Sequence, residues 1–175
     1  MACLAVACLL GPLAGCAQKR LDVSDPATQK MLSLLMPVKI IIDPITGLKS
    51  FDDDDQPDGI IVALRAVDAF GDRVKIAGSV LVELYEFRPA SGEAKGRKIE
   101  QWEIQLASAR DQRRYWNRFA EMYDLPLMLS PEALASASPG KYVVEVTHNN
   151  PLGEHMMAEH VFEPPVARQP GLAGR

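Results

Sequence analysis

The chain has 175 residues, 47% hydrophobic and 24% charged, with 19 Lys and Arg against 23 Asp and Glu and a formal net charge of −4. These values suit one globular domain with appendages and exclude wholesale disorder and collagen-like order. The acidic balance also argues against a general nucleic-acid binder, which needs a basic field.

Residues Met1 to Leu10 are all apolar, and Gly11-Pro12 ends the run. A permanent membrane span needs about 20 apolar residues, so this run fits the core of a secretory signal instead. Leu13-Ala14-Gly15-Cys16 follows, then polar Gln18-Lys19-Arg20. That tetrad resembles the bacterial lipobox. The resemblance implies cleavage between Gly15 and Cys16, with Cys16 carrying diacylglycerol and an amide-linked acyl chain. Small side chains at 14 and 15 let a peptidase reach the bond, and the thiol at 16 carries the lipid. No Lys or Arg precedes Lys19, whereas a signal opens with one. The expectation is therefore a true start codon upstream of Met1. Ala17, not Asp, follows the cysteine, and the family's sorting rule then implies the outer membrane, facing the periplasm. Several acyl chains anchor stably where one is marginal. Cys3, Cys8 and Cys16 are the only cysteines. The remainder is thus without a disulfide framework, a Cys zinc site or a thiol nucleophile.

Residues 1–15 are accordingly read as signal peptide and 16–37 as lipidated tether plus short helix. Ser24-Asp25-Pro26 is a helix start, with an N-cap followed by Pro in the first turn. Ala27, Met31, Leu34 and Leu35 recur at helical spacing until Pro37, predicting a helix over about 26–35. It is expected to pack over one end of the domain, with partner binding as the sharper alternative.

From Val38 the period becomes two. A first strand covers 38–42. A second covers 60–68, with Ile60, Val62, Leu64 and Ala66 inward. Phe70-Gly71-Asp72 turns the chain, and a third strand covers 79–87 with Val80, Val82 and Leu84 inward. Residues 89–98 read as a polar hairpin loop. Trp102, Ile104 and Leu106 then alternate with Gln101, Glu103 and Gln105 on a fourth strand over 99–106. In 109–123, Trp116, Phe119 and Tyr123 at i, i+3 and i+7 suggest a short helix or an ordered crossover, with the three rings in the core. A fifth strand is expected at 125–129, where Pro126 requires an edge or a strand start. Tyr142, Val144 and Val146 mark a sixth strand. A turn at 149–153 leads to a seventh at 155–162, and 164–175 is a loose tail.

About seven short strands with frequent turns and one crossover predict a mostly β chain. The expected fold is an antiparallel β-sandwich, transthyretin-like or Ig-like, spanning 38–163. Gly140, Tyr142 and Val146 resemble the Gly-x-Tyr-x-x-x-Val strand of transthyretin-like and carboxypeptidase-regulatory-like sandwiches. A broader resemblance runs through Pro57-Asp58-Gly59-Ile60, Phe70-Gly71-Asp72, Val74-Lys75, Ala77-Gly78, Glu83-Leu84-Tyr85, Trp102, Trp116 and Ser138-Pro139-Gly140-Lys141-Tyr142. In that order the residues are similar to a family of uncharacterised bacterial lipoproteins of the planctomycete type. The resemblance implies a secreted sandwich and transfers no functional residue.

Three clusters invite chemistry. Asp52, Asp53, Asp54 and Asp55 with Asp58-Gly59 suggest a calcium loop, because a divalent ion relieves repulsion between neighbouring carboxylates. Against an EF-hand register, Arg65 falls where the twelfth-position Glu belongs and Pro57 disturbs the loop. A solvated acidic loop is the plainer reading. His148, His155 and His160 share the last hairpin, but His155 and His160 point to opposite faces of a strand, so exposed histidines are expected over a metal site. Arg110, Arg113, Arg114 and Arg118, interleaved with Tyr115, Trp116 and Phe119, form the concentrated basic-aromatic stretch. For a secreted lipoprotein the partner would be a phospholipid headgroup, another envelope anion or an acidic protein, and not nucleic acid. There is no Gly-x-Ser-x-Gly turn, no Ser-x-x-Lys and no Gly-rich phosphate loop, so no catalytic residue is assigned and no enzyme is expected. Trp102 at an inward position reads as core before it reads as a sugar platform.

The functional expectation is a non-catalytic, lipid-anchored envelope protein. It would be held to the membrane through Cys16, and its sandwich would dock an envelope protein or support envelope structure. The alternatives are a module for calcium, glycan or lipid headgroup, or a lipoprotein resembling the pilot and anchor subunits of secretion machines.

Overall fold

The computed structural model describes residues 22, 24–52, 54, 56–89, 92–136, 140–151 and 154–164. The signal sequence, Cys16, Asp53, Asp55, Ser138, Pro139 and the tail beyond Pro164 therefore lie outside the described residues. The rest is mostly β, in two antiparallel sheets that form a sandwich and do not close into a barrel.

Helix α1 (Pro26–Ser33) is capped by Asp25, whose carboxylate accepts from the Thr28 amide at 3.0 Å and the Thr28 hydroxyl at 2.9 Å. The helix is as expected, but its packing is not. Ala27, Met31, Leu34 and Leu35 are exposed, while Thr28 and Pro37 are buried and Leu32 and Met36 half-buried. The apolar stripe read from the spacing faces outward.

The first sheet holds β1 (Lys39–Ile42), β2 (Gly47–Lys49), β3 (Gly59–Val67), β6 (Trp116–Asn117) and β7 (Met122–Met128). Its order is β1-β3-β7-β6, with β2 also pairing with β3. The second sheet runs β5-β4-β8-β9, from β5 (Lys95–Gln105), β4 (Ser79–Phe87), β8 (Tyr142–Asn149) and β9 (His155–Phe162). Two short helices complete the fold, α2 (Ala109–Tyr115) and α3 (Pro131–Ser136).

Period-two alternation puts Ile60, Val62, Leu64 and Ala66 of β3 against Val80, Val82 and Leu84 of β4, all essentially inaccessible to water. Tyr123, Leu125 and Leu127 of β7 and Tyr142, Val144 and Val146 of β8 complete the layer. Each such side chain contributes roughly 1.5–3 kcal/mol through removal from water. Trp102 is half-buried, and its indole N–H donates to Met128 O at 2.9 Å, stitching the two sheets together. Trp102 is thus a core residue with its polar edge satisfied.

Some elements depart from the sequence expectation. The polar hairpin is shorter than 89–98, because Lys95 to Lys98 already pair with β4. These residues lie on an edge strand, where both faces accept charge and no alternation is needed. Lys95 reaches Glu145 at 2.6 Å, Lys98 reaches Glu83 at 2.7 Å and Arg97 reaches Glu86 at 2.7 Å. The fifth predicted strand starts earlier, at Met122. Pro126 fits because β6 pairs only with Met122 and Tyr123, which leaves the far flank of β7 open at residue 126.

The strands give the sandwich two distinct ends. One carries the acidic loop between β2 and β3, the end of β7 and α3. The other carries the β3–β4 connection, α2, the turn before β7 and the β8–β9 connection. Chain entry lies at this second end, since the Val38 amide donates to Val67 O at 2.8 Å.

Candidate functional site

At the second end a rigid base holds the basic-aromatic stretch. Ser108 caps α2 reciprocally with Asp111: the Asp111 amide donates to the Ser108 hydroxyl and the Asp111 carboxylate accepts from the Ser108 amide. Gln112 points inward. Its amide nitrogen donates to Ile76 O at 2.7 Å and Leu106 O at 2.9 Å, and its oxygen accepts from the Tyr123 hydroxyl at 2.7 Å. That hydroxyl also accepts from the Ile76 amide at 3.0 Å. Burial pushes the Tyr123 phenol up to about 12, against the opposing effect of these hydrogen bonds. Nothing in local spacing singles out Gln112, because all its partners are distant in sequence or backbone.

With Gln112 turned inward, the rest of α2 presents Arg110, Arg113 and Arg114 to water, and Arg118 is exposed on the following turn. The described ion pairs engage Arg65, Arg73, Lys95, Arg97, Lys98 and Lys141, and none of these four arginines. Arg114 stacks on the Tyr115 ring at 5.3 Å, and Lys75 sits 5.1 Å from the Trp116 ring centre. The structure thus brings all four predicted arginines to one end of the molecule.

The aromatic part needs correction. Trp116 is half-buried and meets the buried Tyr123 edge-on at 5.0 Å, but Phe119 is fully exposed. The helical phase linking residues 116, 119 and 123 is broken because α2 ends at Tyr115 and Trp116 is already extended. Phe119 instead tips a turn pinned by Asn117, whose side-chain oxygen accepts from the Phe119 amide at 3.0 Å and the Ala120 amide at 3.1 Å. At the same end, Phe70 is 69% exposed on the loop after β3. Asp68, itself buried, fixes that loop by accepting from the Phe70 amide at 2.9 Å and the Asp72 amide at 3.0 Å. Arg73 joins the two loops by donating to Ala120 O at 2.7 Å.

The acidic loop sits at the opposite end. Its carboxylates cap their own backbone: Asp52 accepts from the Asp54 amide at 3.1 Å, Asp54 from the Gln56 amide at 2.8 Å and Asp58 from the Phe51 amide at 2.9 Å. Among the described residues no three His, Cys, Asp or Glu side chains are grouped to hold a metal ion. Asp53 and Asp55 of the calcium reading lie outside them.

The histidines also need correction. His148 is fully buried, not exposed, because it continues the inward register of Tyr142, Val144 and Val146. One ring nitrogen, Nε2, lies 2.9 Å from Ala77 O, so it carries the proton there, and Nδ1 has no partner. Desolvation lowers the His148 pKa. His155 faces the other way and approaches Asn149, 2.6 Å from its side-chain oxygen. His148 and His155 therefore do not converge.

Two cavities are described, and the larger, about 380 Å³, lies beside α1 and is lined by Gln29, Leu32, Ser33, Met36, Pro37, Val38 and Glu154. The other, of about 170 Å³, is lined by Leu48, Pro57, Leu84, Ile99, Leu129, Leu134 and Tyr142, with no ionisable group except the Tyr142 phenol. Among the described helices none is long and apolar enough to cross a membrane. Comparison of the chain with protein-family models, curated proteins and solved structures found no match.

Proposed function

We propose that this chain is a non-catalytic, lipid-anchored cell-envelope protein, moored through acylated Cys16, whose sandwich docks an anionic partner through its basic aromatic end. The single observation that carries the docking part is the set of four exposed arginines without ion pairs, gathered on a base held rigid by Gln112 and Tyr123. Guanidinium groups left in water at fixed spacing suit bidentate recognition of phosphate or carboxylate. The anchoring part is carried by the Leu13 to Cys16 tetrad. Ligand sites combine an apolar wall with several convergent polar groups, and the 170 Å³ cavity offers one phenol.

The anchor is tested by labelling the native protein with radioactive palmitate and fractionating the envelope. Label on the wild type, lost together with membrane retention in Cys16→Ser, is the expected result. An unmodified amino terminus on soluble native protein would overturn the anchor.

A further inference from the structure

We propose that the partner at the basic end is an anionic phospholipid bilayer, with Phe70 and Phe119 entering the headgroup–acyl boundary while the surrounding arginines pair with lipid phosphates. This rests on the docking reading above and names its partner.

The two rings stand in water on fixed loops. Asp68 and Asn117 each accept from two amides of their own loop, which fixes the backbone that carries each exposed ring. The Arg73 bond to Ala120 O makes the two loops one unit. Paired aromatic prongs on stiff loops, with unpaired arginines behind them, match an interface whose outer layer is phosphate and whose next layer is hydrocarbon.

The same features disfavour the other partners. A protein interface centres on a contiguous apolar patch packed to interior density, whereas here the rings tip two separate loops. Single-stranded nucleic acid stacks on open aromatic faces. Arg114 and Lys75 already cover Tyr115 and Trp116, which leaves Phe70 and Phe119, on two loops, as the open rings among the described residues of this end and no continuous stacking row.

Chain entry supplies an independent argument. The segment before β1 reaches the sandwich beside Val67, at the base of the Phe70 loop. Met31, Leu34, Leu35 and Val38 are exposed along it. Cys16 precedes Asp22 by six residues, which span at most about 20 Å when extended. The chain that would carry the lipid thus joins the sandwich at the end that holds the two exposed phenylalanines.

The test uses the mature chain, residues 16–175, which keeps every described residue, with Cys16→Ser so that no acyl chain contributes. It is sedimented with phosphatidylcholine vesicles and with vesicles containing a third phosphatidylglycerol. Binding to the anionic vesicles, at least tenfold weaker on neutral ones and weakened by 0.5 M salt, is expected. Phe70→Ser/Phe119→Ser should lower partitioning at least tenfold. Arg110→Gln/Arg113→Gln/Arg114→Gln/Arg118→Gln should abolish the anionic preference. Thermal melts confirm that the variants fold, since all six side chains are exposed. Equal binding by parent and Phe variant, or no binding by the parent, would overturn the proposal. Photo-crosslinking from position 119 to one stoichiometric envelope protein, with no vesicle binding, would assign the end to a protein instead. Acylation of Cys16 is read separately by palmitate labelling, so a missing anchor and a missing lipid contact give different results.

Discussion

Replacing Tyr123 by Phe removes one oxygen from the most constrained position beneath the basic end. The ring stays, so packing against Trp116 and the core is kept. The Ile76 amide, on a residue that is 1% exposed, loses its acceptor. A buried donor left unsatisfied costs about 1–3 kcal/mol. Gln112 loses less, because it is only half-buried and keeps both of its donor contacts. Tyr123→Phe should therefore destabilise by about 2 kcal/mol near neutral pH. The phenol also creates a pH signature. Its folded pKa is raised to about 12 from 10.0, so between those values the unfolded chain gives up the proton and the folded chain keeps it. The unfolded state then binds fewer protons, and stability falls as pH rises through the window. At pH 11 the wild type should have lost about 1.4 kcal/mol on this account, which narrows the gap to the variant to about 0.6 kcal/mol. Burial also raises Tyr85 and Tyr142, but both are present in the two proteins and cancel in the difference. Urea denaturation of both proteins at pH 8 and pH 11 measures the gap. An equal gap at the two pH values would refute the reasoning. In a double-mutant cycle with Gln112→Ala, a coupling of about 1 kcal/mol is expected, because the two side chains share a hydrogen bond.

The remaining predictions concern the second sheet. His148 has a pKa held below its ordinary 6.5 by desolvation. As pH falls below that value the unfolded chain protonates first, so stability declines there and is complete above it. His148→Gln should flatten this slope in melting temperatures taken from pH 7.5 down to pH 5, and an unchanged slope would assign the acid sensitivity elsewhere. Glu145, buried on the outer face of β8, meets Lys95 at 2.6 Å. Glu145→Ala should cost about 2 kcal/mol by removing the nearest partner of the Lys95 ammonium, which keeps only Glu159 at 3.8 Å and the Tyr85 ring, whereas Lys95→Met/Glu145→Leu should stay within about 1 kcal/mol of wild type. Chemical denaturation measures both, and equal losses in the two variants would show that packing, not charge, holds that face.

The strands that bury one face against the other sheet were legible at residue level. Ser79 to Phe87 is legible to its observed bounds, because alternation leaves little freedom once one face is dry, and His155 to Phe162 is legible from the turn that precedes it. His148 was misplaced by its nearness to a turn, although counting by twos from Tyr142 puts it inside. Phe119 was misplaced by extending a helix phase past the residue where the chain becomes extended. The short strands β2 and β6 are too brief for periodicity to register. Helix α3 carried a readable start in Ser130-Pro131-Glu132, and the Ala133 amide indeed donates to the Ser130 hydroxyl at 3.2 Å. The arginines of the site were legible as a cluster. The pairing of the two exposed rings at one end was not, since Phe70 and Phe119 lie far apart in the chain and the Arg73 contact that joins their loops is not visible in sequence.

Net charge misleads about what such a molecule binds. The whole chain is acidic at −4, but at the end that holds Arg73, Arg110, Arg113, Arg114 and Arg118 the arginines outnumber the carboxylates of Asp72, Asp111 and Glu121 around them. Strand β3 runs nine residues from the acidic loop to the Phe70 loop, a separation of about 30 Å at roughly 3.3 Å per residue. Screening in physiological salt acts over about 8 Å, so a partner at the basic end feels the local arginines and little of the distant aspartates. The chain's overall acidity therefore does not exclude an anionic partner at that end. What disfavours nucleic acid there is local, in that Arg114 and Lys75 cover Tyr115 and Trp116 and leave two loop-tip rings in place of a continuous stacking row. What favours lipid is also local, in that Phe70 and Phe119 are exposed at the end that carries the arginines without ion pairs, a combination suited to a phosphate layer over hydrocarbon.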